Sequence, residues 1–133
     1  MKKYRHLWAM LFLFGVLVSC RQDEPKDIQL IGNWRLIEQL SDPGDGSGVF
    51  TPIISDMTIS LFSDSTFTSS GSLCLMNSIS SGSGKGSYSP GKKRLTPYDC
   101  SRPTTINYEI KENYLILYFL CIEACAQKYK KVE

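Results

Sequence analysis

From Leu30 to the C-terminus, β-branched and aromatic residues alternate with polar ones, and clusters of Gly, Ser, Pro and Asp interrupt the pattern every several residues. A period of two puts successive side chains on opposite faces of an extended chain, so this segment reads as a series of half-buried strands. No stretch sustains the 3.6-residue spacing of an amphipathic helix. The pattern predicts strands over 31–40, 54–62, 66–70, 84–90, 93–97, 104–110, 114–121 and 126–132. Ser63-Asp64-Ser65, Gly91-Lys92 and Lys111-Glu112-Asn113 read as hairpin turns. Eight strands joined mostly by short turns suit an all-β, eight-stranded antiparallel up-and-down barrel, because closure removes the edges that an open sheet exposes.

One alternating face carries Trp34, Leu36, Met57, Ile59, Leu61, Phe67, Tyr88, Leu95, Ile106, Tyr108, Ile110, Leu115, Leu117, Phe119 and Tyr129. These are the expected interior. Strand 114–121 is apolar on both faces, since Ile116, Tyr118 and Leu120 occupy the other side. Either something packs on the barrel wall there, or the stripe is a contact surface. In an up-and-down barrel, alternate connections fall at opposite ends. The long ones, 41–53, 71–83, 98–103 and 122–125, share one end, and the tight turns share the other with the start of the first strand. Any binding is expected at the loop-rich end.

Leu30-Ile31-Gly32-Asn33-Trp34-Arg35-Leu36 resembles the start of lipocalins, whose first strand opens with a Gly-x-Trp motif. Leu61 to Phe67, Gly86 to Tyr88, Ile106 to Ile110, Tyr114 to Leu117 and Lys128-Tyr129 are similar to successive hairpins of the lipocalin-like domain of bacterial lipoproteins. The resemblance implies that Gly32 permits a tight entry and that Trp34 plugs the closed end of a barrel spanning 30–133. The chain departs from the family at two places. Glu112-Asn113-Tyr114 stands where lipocalins carry Thr-Asp-Tyr, and the last-strand arginine that stacks on the tryptophan is missing, leaving Lys128 or Lys130 to cover it. An interior of this size holds side chains or one small ligand. The many large inward residues favour a filled core.

The N-terminus has a different character. Lys2, Lys3 and Arg5 precede an apolar run from Leu7 to Val18, too short for a permanent transmembrane helix but suited to an export signal. The run ends in Leu17-Val18-Ser19-Cys20, which resembles the lipobox of bacterial lipoproteins. That resemblance implies a signal peptide over 1–19, cleavage before Cys20, and acyl chains such as palmitate on the cysteine. Several acyl chains anchor a protein stably. Residues 20–29 then form a lipidated tether, with Pro25 and mostly polar side chains. Asp23 and Glu24 resemble the acidic residues that accompany cell-surface export in some Gram-negative lipoproteins; a soluble tether explains them equally well. The expected location is the outer membrane, on its periplasmic or cell-surface face.

Removal of 19 of the 133 residues leaves 114 and lowers the basic side chains from 15 to 12 against 13 acidic, so the formal charge falls from +2 to −1. The mature chain gives no basis for nucleic-acid binding. Its only histidine, His6, leaves with the signal, and with it go Ser-His-Asp and Cys-His nucleophiles and imidazole metal ligands. Asp56, Asp64, Asp99, Glu38 and Glu109 contain no pair marked by spacing as the acid and base of a glycosidase. Lys92-Lys93-Arg94 reads as a solvated turn. Gly82, Gly84 and Gly86 around Lys85 lack the following helix that a phosphate cradle uses. No catalytic, cofactor-binding or metal site is expected, and the chain does not read as an enzyme.

Cys74, Cys100, Cys121 and Cys125 remain in an oxidising compartment and fall near the loop-rich end. Cys74–Cys100 and Cys121–Cys125 are the favoured disulfides, with a crossed pairing as the rival and a four-thiolate metal site disfavoured by the scattered spacing. The expected function is a membrane-anchored binding or interaction module that takes a small hydrophobic ligand or a protein partner at its loop-rich end. The alternative is a structural or inhibitory envelope lipoprotein with a filled core and no small ligand. With two disulfides, alkylation adds mass to four mature-chain cysteines only after reduction; alkylation of the unreduced protein at the same four would exclude the bridges.

Overall fold

The computed structural model describes residues 29–133. The expected signal peptide 1–19, the expected lipidation site Cys20, and Asp23 and Glu24 of the expected tether lie outside them. Nine strands run β1 Gly32–Ser41, β2 Thr51–Pro52, β3 Thr58–Leu61, β4 Thr66–Ser69, β5 Gly84–Ser89, β6 Arg94–Pro97, β7 Ile106–Lys111, β8 Tyr114–Tyr118 and β9 Cys125–Val132. From β3 to β9 each strand pairs antiparallel with the next, and β9 returns to β1. The result is a closed eight-stranded antiparallel barrel of lipocalin-like form. The ninth strand, β2, is an accessory on its rim, pairing Thr51 and Pro52 with Gln39 and Glu38 of β1.

Closure rests on the longest ladder in the molecule, from Asn33 opposite Val132 to Ser41 opposite Cys125. A β-bulge lies between Leu36 and Glu38. Strict alternation from Trp34 and Leu36 would aim Glu38 into the apolar interior. The extra residue resets the phase, so Glu38 pairs outside with Lys128, next to it in register. The freed Ile37 carbonyl accepts the Ile53 amide at 3.0 Å, which starts the return of the chain along β1. The expected strand 54–62 is therefore shortened to Thr58–Leu61, and β2 lies before its expected start. Residues 53–57 separate β2 from β3 and leave Ile54 fully exposed.

The tight turns follow from local chemistry. Asp64 Oδ1 accepts hydrogen bonds from Thr66 N at 3.0 Å and Thr66 Oγ1 at 2.6 Å, fixing the β3–β4 turn. Glu112 and Asn113 both have positive φ, 51° and 67°, as a two-residue type I′ hairpin requires. Strand 114–121 stops at Tyr118, and the chain turns through 119–124 before β9.

Every inward residue expected from alternation is buried or packs partly buried against the core. Two further leucines join them from outside the ladders, Leu30 before β1 and Leu73 in the β4–β5 connection. Phe67 sits opposite Gly86, and a Cβ at that glycine would lie 2.6 Å from the ring, so the missing side chain is what lets the aromatic cross the sheet. Trp34, Leu36, Met57, Ile59, Leu61, Phe67, Leu95, Ile106, Leu115, Leu117 and Tyr129 are each 0–1 % exposed. Side chains lining a hollow of water size or larger would keep accessible area. These keep almost none, so the barrel is filled by its own residues.

Trp34 is buried at the closed end. The Trp34 indole N–H donates to the Leu30 carbonyl at 2.8 Å. The cation over its ring is Lys131, 5.5 Å from the centroid, in place of the expected Lys128 or Lys130. Residues 127, 129 and 131 share the inward parity of β9, whereas Lys128 and Lys130 point outward. Lys131 Nζ also donates to the Gln29 carbonyl at 2.9 Å, tying the entry of the chain to its last strand. Gly32 has φ +133°, and a Cβ there would lie 2.7 Å from Lys131 Cε. Trp34→Ala is expected to cost ~3–5 kcal/mol in chemical denaturation, the range for deleting a large buried aromatic. A loss below ~1 kcal/mol would show that the plug is not part of the core.

Candidate functional site

Alternation of connections separates two poles. The turns 62–65, 90–93 and 112–113 share the Trp34 end. The connections 42–57, 70–83, 98–105 and 119–124 share the other.

The long loops are built structures. Asp42 gathers three backbone amides: Oδ1 accepts from Gly44 N at 2.7 Å and Gly46 N at 3.1 Å, and Oδ2 from Gly48 N at 2.7 Å. These amides, Gly48 first, hold its carboxyl below the ordinary carboxylate value. Gly44 and Gly46 have φ +103° and +77°, the left-handed conformations that let the backbone curl round one carboxylate. The Asp42 amide donates to the Ala124 carbonyl at 2.9 Å, joining this loop to the last one.

The 70–83 loop closes the mouth. Leu73 is buried at its start, and the Ser55 hydroxyl donates to the Ser78 carbonyl at 2.7 Å. Below it lies a polar chain inside the barrel. Gln127, 0 % exposed, donates from Nε2 to the Asn77 carbonyl at 2.6 Å, and its Oε1 accepts the Tyr129 hydroxyl at 2.8 Å. Burial alone pushes the Tyr129 phenol far above its ordinary pKa, so it stays a neutral donor. No buried side-chain nitrogen or oxygen among the described residues lacks a partner.

Both disulfides have the favoured connectivity. Cys74–Cys100 joins the 70–83 and 98–105 loops with Cα atoms 5.3 Å apart, and Cys121–Cys125 clips the last connection with Cα atoms 6.1 Å apart. The four cysteines thus lie at one pole. Gly32 and Trp34 lie at the other, and the structure does not bring the two sets together.

The acidic residues considered for catalysis are scattered and mostly engaged. Glu38 pairs with Lys128 on the wall, Asp64 holds a turn at the closed end, and Asp99 accepts the Lys85 amide at 3.1 Å. Glu109 accepts the Tyr118 hydroxyl at 2.5 Å; burial, then this carboxylate, pushes that phenol up to about 12. Asp56 is exposed between β2 and β3. Among the described residues no group of three His, Cys, Asp or Glu side chains converges. The Gly-Ser stretch around Lys85 is strand from Gly84 onward, so Gly84 and Gly86 do not form a loop that could cradle an anion.

The outer wall resolves the two-faced strand. Ile116 is 5 % exposed, in a shallow depression lined by Phe50, Tyr114 and Lys128. Lys128 Nζ lies 4.5 Å from the Phe50 ring centroid and 5.6 Å from that of Tyr114, so the lysine and the end of the first loop cover this part of the wall. Beyond it the stripe is bare: Leu120 and Ile122 are 81 % and 101 % exposed. Val49, Ile54, Leu75 and Ile79 add further exposed apolar side chains from the other mouth loops. The loop-rich pole is thus covalently clipped, polar beneath and apolar on its rim. An open groove of about 450 Å³ lies beside it, lined by Gln39, Ser41, Pro43, Val49 and Thr51 among others, and it is separate from the barrel interior. Alternation located the pole and the cysteines, but not Gln127 as its inner support, since a glutamine in a strand carries no signal of burial.

No family model matches the sequence, and no curated protein matches it.

The Asp42 turn gives a pH prediction with a fixed sign. Its folded pKa lies below the ordinary 3.8, so its contribution is fully present above that value and is lost as pH falls through the lower folded value. The amide resonances of Gly44, Gly46 and Gly48 should shift together with one midpoint below 3.8. Separate midpoints, or one above that value, would contradict the shared carboxylate.

Proposed function

We propose that the protein is an acylated envelope lipoprotein, anchored through Cys20 in the outer membrane, that engages a protein partner with its loop-rich pole. The observation that carries this reading is the contrast between a filled interior and an apolar rim. The inward side chains are close-packed, leaving no room for the small hydrophobic ligand that a hollow barrel would hold. Apolar area is instead exposed at Val49, Ile54, Leu75, Ile79, Leu120 and Ile122, all on long connections. Exposed apolar side chains gathered at one end of a small domain are the usual mark of a protein-binding surface. Two disulfides and the Gln127–Asn77 bond hold the loops in place, reducing the ordering cost of association.

The lipobox at Leu17 to Cys20 and the polar tether support the anchored location, on the periplasmic or the cell-surface face. The reading needs no cofactor and no nucleic acid. An inhibitory role toward a foreign enzyme falls within it, since an inhibitor also acts by docking a rigid surface.

Cross-linking of the acylated protein in its native envelope, read by mass spectrometry, is expected to give one stoichiometric protein partner joined through the mouth loops. Leu120→Ser with Ile122→Ser should weaken that complex by about tenfold or more, as loss of central apolar anchors does, with the thermal midpoint unchanged. A partner joined through the closed pole, or a stoichiometric small molecule retained in native mass spectrometry, would contradict the proposal.

A further inference from the structure

Charge is divided between the poles. Among the tight turns and the end of β9, Lys92, Lys93, Arg94, Lys111, Lys130 and Lys131 are exposed, against Asp64, Glu112 and Glu133. On the long connections the balance reverses: Asp42, Asp45, Asp56, Asp99 and Glu123 stand against Arg102, with Lys85 at the start of β5. Between the poles Glu38 and Lys128 neutralise each other. A domain whose described charges nearly cancel overall therefore carries a surplus of cations at one end and of anions at the other.

The cationic end is also where the chain enters. Gln29 lies beside Trp34, Asn113 and Lys131, with its carbonyl bonded to Lys131 Nζ. Nine residue steps separate it from Cys20, at most ~32 Å of extended chain. A lipid on Cys20 would hold this pole within reach of a membrane surface, while the acidic pole lies at the far end of the barrel. Anionic headgroups attract basic residues and repel acidic ones over roughly one Debye length, ~8 Å at physiological salt. Both ends then favour the same orientation.

We propose that the closed pole is a seat for anionic lipid headgroups, contacting their phosphates through Lys92, Lys93, Arg94, Lys111 and Lys130 and turning the loop-rich pole outward. This rests on the lipidation of Cys20 proposed above. The five side chains project from the two basic hairpins and the end of β9, and none of them belongs to the filled core. Lys131 is committed to Trp34 and Gln29 and is not part of the seat. The seat supplies orientation and the acyl chains supply anchorage, so a loop surface meant for a partner is kept away from the bilayer.

The test is lysine footprinting on the acylated mature chain, reconstituted on vesicles of neutral phosphatidylcholine or of phosphatidylcholine with about one third phosphatidylglycerol. Brief acetylation read by mass spectrometry should show Lys92, Lys93, Lys111 and Lys130 reacting several-fold more slowly on the anionic vesicles, with Lys85 unchanged. High salt should remove the difference. Lys92→Glu with Lys93→Glu should release Lys111 and Lys130 as well, while leaving the protein bound to both vesicles through its lipid. Equal reactivity on the two surfaces, or equal protection of Lys85, overturns the orientation while leaving the lipoprotein reading intact. A mature chain that bears no acyl group and floats with neither vesicle overturns both.

Discussion

The pairing of β1 with β9 joins residues about a hundred positions apart and converts a meander into a barrel. Without it both strands would be edges, each with unpaired amides and carbonyls and one apolar face toward water. With it the inner faces of eight strands enclose a volume that their own side chains fill. The ladder also fixes what lies at each end. Gly32 and Val132 finish together at the closed pole, where Trp34, Leu30 and Lys131 meet, and Ser41 and Cys125 finish together at the mouth. So non-local a contact is costly to find during folding, because its loop-closure entropy must be met before the ladder rewards it. The consecutive hairpins between β3 and β8 shorten that search by bringing the two strands near each other.

A filled barrel moves function to its surface. The interior polar chain from Tyr129 through Gln127 to Asn77 links the packed core to the 70–83 loop, and every member has a partner. Such a chain adds little net stability but penalises alternative loop positions, since displacement would strand a buried amide. The two disulfides act on the same loops from outside. Together they give a small domain a rigid rim, and the exposed leucines and isoleucines on that rim remain unsatisfied by the protein itself. The asymmetry of charge gives the two ends different environments to suit.

The inward set was legible because a period of two leaves little freedom: once Trp34 and Tyr129 were placed, the apolar residues at every second position followed. Strand order made the gathering of all four cysteines at one end legible, whereas the observed pairing was the favoured of the alternatives that this left open. Besides the burial of Gln127, three features were hidden. The bulge at Ile37 is a one-residue insertion, and the sequence around it is compatible with an unbroken strand. Leu30 and Leu73 enter the core from segments whose periodicity has no strand phase to follow. Lys131 covers Trp34 where Lys128 and Lys130 were expected, because the register of β9 against β1 decides which of three nearby lysines faces inward. The bulge and the choice of lysine were settled by pairing partners far away in the chain, which local pattern does not encode.

The central claim is that this barrel holds no ligand space, so that recognition lies with its loops. Titration of the mature protein with a fluorescent fatty acid tests it most directly. Packing of Leu36, Met57, Ile59, Phe67, Leu95 and Leu117 at 0–1 % exposure predicts no saturable one-to-one site. Saturable one-to-one binding that unlabelled fatty acids displace would contradict it, and would return the function to the interior.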